Sequence, residues 1–151
     1  MAEIKKVKLK NGEVEIHTVE TAGKDEKEAV FKSTDRPHPD LETAFESLIT
    51  CVYEILEWPG EYAVGRIKVA GVSFSESEDG VRGAVMTGYV KLETAAAPFC
   101  FNTPHLAFSQ YSPNGSNPIM SEDAQRKLKR LEDEARAFIT GKRAQLSLSG
   151  T

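Results

Sequence analysis

Arg66-Ile-Lys-Val-Ala-Gly-Val-Ser-Phe74, continuing through Gly83-Ala-Val-Met-Thr-Gly88 to Phe99-Cys-Phe-Asn-Thr-Pro-His-Leu106, decides the fold. It is the densest run of β-branched, aromatic and turn-forming residues in the chain, and it reads as three consecutive strands. In the first, Ile67 and Val69 share one phase while Val72 and Phe74 share the other. A phase slip at Ala70-Gly71 predicts a β-bulge or a close backbone approach. The second strand, Val81 to Leu92, keeps Ala84, Met86, Val90 and Leu92 in phase. Gly88 interrupts it, and Gly71 and Gly88 facing each other would leave a shallow depression, unless they serve curvature instead.

Two amphipathic segments flank this sheet. Leu41, Ala44, Phe45, Leu48, Cys51, Val52 and Ile55 recur at helical spacing over about 39–57, with Pro39 at the first helical position and Trp58-Pro59-Gly60 as the stop. Ser121 is a natural N-cap for a second helix, whose Ala124, Leu128, Leu131, Ala135 and Phe138 step close to a heptad seam, and Gly141 ends it. That seam fits either the domain's own sheet or a partner's helix. Upstream, Ile4 to Lys10 alternates apolar with basic residues, Asn11-Gly12 signals a tight hairpin, and Glu13 to Val19 alternates apolar with acidic residues. Lysines opposite glutamates predict cross-strand ion pairs on a solvated, edge-protecting face. Thr21–Glu28 reads as a polar connection and Ala29–Lys32 as a short strand. The expected fold is one α+β domain over 1–141, with an antiparallel sheet of five to six strands and two helices in the order ββ(β)-α-βββ-α. Residues 142–151 form a frayed tail in this reading, and 107–120 a polar loop.

The pattern Val72-Ser-Phe, a loop, Gly83-Ala-Val-Met-Thr-Gly88 and a third strand closing on Phe101-Asn-Thr-Pro104 resembles small uncharacterised proteins of tailed bacteriophages. The resemblance implies a gene for nucleic-acid metabolism or for countering host defences. It assigns no residue a role.

At 151 residues the chain can bury a core without disulfide or metal. Cys51 and Cys100 fit two reduced, buried thiols in a reducing compartment. Neither a signal-peptide core nor a membrane-length apolar run is evident, so a soluble, cytoplasmic protein is expected. Residues 11–80 carry sixteen acids and six bases, a balance of −10, whereas residues 1–10 hold four lysines against Glu3. Such an acidic body is unlike a duplex-DNA binder with a concentrated basic face, but it leaves single-strand binding through stacking open.

No phosphate loop, zinc pair or nucleophile-elbow motif is present, and no cofactor or enzymatic activity is expected. Asp35, His38 and Asp40 could be metal ligands, but helix-capping explains the same residues and they make a poor site. Cys100 and His105, with Asn102 between them, could serve a thiolate nucleophile only if they meet in space. The more specific signal is aromatic and basic. Of Phe74, Tyr89, Phe99, Phe101, Phe108 and Tyr111, most should be core. Tyr89 and Lys91 share the outward phase, so with Arg82, Arg66 and Lys68 they form the expected platform for single-stranded nucleic acid or a nucleotide. The competing expectation is a homo-oligomer, or an inhibitor of a host protein. It would act through the acidic face or through Leu128, Leu131 and Phe138.

Overall fold

A computed structural model describes residues 2–76, 80–111, 113–115 and 117–143. Its centre is an antiparallel sheet of seven strands, β1 (Glu3–Lys10), β2 (Glu13–Ala22), β3 (Asp25–Ser33), β4 (Ile67–Glu76), β5 (Arg82–Val90), β6 (Phe99–Asn102) and β7 (Leu106–Ala107). The order across the sheet is β3-β2-β1-β4-β5-β6, with β7 also paired to β5. Three helices, α1 (Pro39–Glu46), α2 (Ile49–Leu56) and α3 (Glu122–Ile139), complete the α+β domain.

Turn chemistry sets the first hairpins. Asn11 and Gly12 both have positive φ, the type I′ turn expected of Asn-Gly, and join β1 to β2. Gly23 at φ +65 opens a second two-residue turn. β2 therefore runs on to Ala22 and β3 begins at Asp25, where the sequence reading placed a connection. Strand formation overrides the polarity of these residues because β3 lies at the sheet edge, where every side chain from Asp25 to Val30 is exposed.

The predicted slip in β4 is present as a register shift between Val69 and Gly71 against β5. It returns Ile67, Val69, Val72 and Phe74 to one buried face. Gly71 and Gly88 do not face each other, because Gly71 pairs with Thr87 and Gly88 with Val69. At each, the space a side chain would take is already filled. A Cβ on Gly71 would meet Thr87 Oγ1 at 2.8 Å, and one on Gly88 would meet the Lys68 carbonyl at 2.1 Å and the Phe101 ring at 2.7 Å.

The single helix expected over 39–57 is two. Ser47 Oγ donates to the Ala44 carbonyl at 2.7 Å while Leu48 N–H turns to Phe45 O, a tightening that breaks the helix into α1 and α2. His38 is the α1 N-cap, its Nδ1 accepting from Asp40 N–H at 3.1 Å. Ser121 caps α3 through the Ala124 N–H.

All three helices contribute to one core on one face of the sheet. Leu128, Leu131 and Phe138 are each at most 1% exposed within it, so the heptad-like seam is spent on the chain's own core. These residues cannot serve a partner, which corrects that expectation. The tail expectation also changes at its start. Lys142 bridges Asp40 and Glu134 at 2.8 and 2.9 Å, and Arg143 stacks 3.5 Å over the Phe138 ring and pairs with Asp35. The rest of the predicted tail, 144–151, lies outside the described residues, as does 77–79 of the loop before β5. No helix among the described residues is long and apolar enough to cross a membrane.

Candidate functional site

Among the described residues, the opposite face of the sheet carries no helix. Antiparallel alternation brings Lys6, Lys8 and Lys10 of β1, Ser73 of β4, Thr87 and Tyr89 of β5, and Cys100 and Asn102 of β6 onto it. Together they border a shallow groove of about 570 Å³. β1 was expected to be an edge-protecting strand. It is instead interior, with β2 on one side and β4 on the other, so its lysines lie across the middle of the face.

The expected lysine–glutamate pairs across the hairpin do not close. Lys8 stands opposite Glu15 in register, yet Glu15 accepts a 2.7 Å hydrogen bond from His17 and pairs with Lys32 at 3.5 Å. The bond from His17, more than the attraction of Lys32 and Lys8, holds the Glu15 carboxyl below its usual range. Among the described residues, Lys6, Lys8 and Lys10 have no carboxylate within ion-pair distance. The stem of Lys8 lies across Gly71, within van der Waals contact of where a Cβ would stand.

A second cavity of about 630 Å³ adjoins the first at Tyr89. Its cause is the sheet itself. β1 pairs with β4 only over Lys6–Lys8 and Gly71–Ser73, so beyond the bulge the strands part and leave a notch. Leu9, Phe45, Ile49 and Val69 line it, Glu42 and Glu46 of α1 stand on one side, and Arg66, Lys68, Tyr89 and Lys91 on the other. Lys68 and Tyr89 are direct cross-strand partners. Arg66 is tied to Lys91 twice, its Nη1 donating to the Lys91 carbonyl at 2.8 Å and its own carbonyl accepting from Lys91 N–H. Four of the five platform residues read from the sequence thus lie together.

Arg82 is the exception. It sits at the far end of β5, where its Nη1 donates to Glu132 at 2.7 Å and its Nη2 to the Ile4 carbonyl at 3.0 Å. Its guanidinium lies 4.4 Å from the Phe74 ring centroid. Nε finds no hydrogen bond, although Glu3 Oε1 is 3.6 Å away. With Glu132 only 6% exposed, Arg82 neutralises a buried carboxylate and is not part of the platform. Arg82 shares the phase of Ala84, Met86 and Val90, so strand alternation already turned it to the helical face, away from Tyr89; what the sequence could not supply was the acid fifty residues away on α3.

Cys100 and His105 do not meet. Cys100 pairs with Tyr89, while His105 packs over Gly83 at the other end of β5. Although only five positions apart in sequence, they stand at opposite ends of β5 on an extended chain, beyond hydrogen-bond reach. The thiols also differ from the expected buried pair, since Cys51 is buried and Cys100 exposed. Burial pushes the Cys51 thiol above its usual value. Asp35 and Asp40 are engaged by Arg143 and Lys142, and among the described residues no group of three potential ligands gathers to hold a metal.

No family model, curated protein or solved structure matches the chain.

Proposed function

We propose that the helix-free face binds single-stranded nucleic acid, or a nucleotide, without turning it over. The observation that carries this reading is Tyr89 beside Lys68, flanked by two groups of cations: Lys6, Lys8 and Lys10 on one side, Arg66 and Lys91 on the other. An aromatic face accepts any base for about 1–3 kcal/mol, and adjacent lysines neutralise phosphates. Glu42 and Glu46 on the far side of the notch repel phosphate and can accept hydrogen bonds from base amines, so the base belongs in the notch and the backbone on the lysines. The cations are spread across the sheet face, which suits a flexible strand better than a duplex.

Fluorescence anisotropy with a labelled single strand and its duplex, at several salt concentrations, tests the proposal. The expected result is a preference for the single strand, with a log–log salt slope of about −3 if four phosphates are contacted. Substituting Lys68 and Tyr89 together with alanine should weaken binding by at least tenfold, on the order of 1–2 kcal/mol. Unchanged affinity in that variant would remove the site.

A further inference from the structure

We propose that β3 pairs with the β3 of a second copy of this chain, joining two sheets into one. Among the described residues β3 is a free edge of nine residues in unbroken register with β2, and it holds neither glycine nor proline. The opposite edge, β6, has only four residues and follows Pro98.

The turn fixes which backbone groups of β3 are free. A two-residue hairpin closes on a hydrogen-bonded pair, here Ala22 with Asp25. Bonded and non-bonded pairs then alternate, so Glu26, Glu28, Val30 and Lys32 direct their N–H and C=O groups away from β2. An antiparallel copy turned about a two-fold axis at Ala29 presents the same four residues in return. Glu26 then meets Lys32 of the second copy, and Glu28 meets Val30, each pair exchanging two hydrogen bonds.

Charge on an edge strand ordinarily blocks such pairing. Here the signs complement: Lys32, which also lies 3.5 Å from Glu15 of its own chain, faces Glu26 of the copy on both sides of the axis, and no like charges stand directly opposite. The register centred on Glu28, by contrast, would oppose two glutamates. Val30, 52% exposed, is covered only when a second strand is added. Because the axis is perpendicular to the sheet, both helix-free faces come to lie on the same side, with their lysine rows in one plane. The interface itself is independent of what that face binds.

Sedimentation velocity over a wide range of protein concentration provides the test. The wild-type chain should show a monomer–dimer equilibrium. Val30→Pro removes an N–H that β2 does not use, so this variant should be monomeric with its circular dichroism retained. Lys32→Glu should weaken the dimer about tenfold or more, and adding Glu26→Lys and Glu28→Lys to it should restore association. A wild-type chain that is monomeric at every concentration would overturn the proposal. So would a dimer unaffected by both Val30→Pro and Lys32→Glu. Failure of the triple variant to reassociate while folded would overturn the charge-matched register.

Discussion

Replacing Arg82 with alanine should cost about 4 kcal/mol of stability. The Glu132 carboxylate it pairs with is 6% exposed, and removing one partner of a buried pair costs about 3–5 kcal/mol, mainly by stranding the other charge. Arg82 itself is 26% exposed, so water can reach part of the gap and the lower end, about 3, applies here. Loss of the hydrogen bond to the Ile4 carbonyl adds about 0.5–1 kcal/mol, and loss of the contact with the Phe74 ring a similar amount. Urea unfolding followed by the fluorescence of Trp58, the only tryptophan, measures this directly. Arg82→Ala/Glu132→Ala should be less damaging than the sum of its parts by about 2 kcal/mol, because the double variant strands no charge. A loss below about 1 kcal/mol, or strict additivity, would refute a buried pair. Nucleic-acid affinity per folded molecule should be the same in Arg82→Ala as in the wild type.

Three further outcomes follow from the geometry. Gly88→Ala should destabilise by about 2 kcal/mol or more, since its Cβ would fall on the Lys68 carbonyl and the Phe101 ring; thermal unfolding reads this as a lowered midpoint. In the native protein one thiol, Cys100, should react quickly with a disulfide reagent and Cys51 only on unfolding, and saturating single strand should slow Cys100. The pH dependence has two edges. Lys142 holds Asp40 below the usual carboxylate range and Lys127 does the same for Asp123, so their stabilisation is present above the unfolded carboxylate values. It is lost as pH falls through the lower folded ones, below about 4. Lys142 is raised, chiefly by Asp40, so its share is present below its ordinary value of 10.5 and disappears as pH rises through the folded one. Asp40→Asn should therefore make the acid loss of stability shallower.

Short-range chemistry made much of this fold legible. The Asn11-Gly12 hairpin, the bulge at Ala70-Gly71 and the Ser121 cap each depend on a few neighbouring residues. The first half of β3, before the short strand read at Ala29–Lys32, and the break at Ser47 were missed because polar composition hid an edge strand and one hydroxyl split a continuous apolar stripe. The antiparallel pairing of β4 with β5 brings Lys68 to Tyr89, and periodicity already put Tyr89 on the outward phase. Three other features depend on strand order and long-range partners, which periodicity encodes only in part, since it gives the inward phase of Arg82 but not its partner. These are the insertion of β1 beside β4, which turns its lysines from an edge guard into the middle of a face, the notch where those strands part, and the burial of Arg82 by Glu132.

Titrating the uniformly 15N-labelled protein with a short single-stranded oligonucleotide and following its amide resonances tests the central claim most directly. The account predicts saturable shifts at Lys6–Lys10, Lys68, Thr87–Tyr89 and Cys100–Asn102, with α3 unperturbed. Shifts confined to the helical face, or none at low salt, would contradict it.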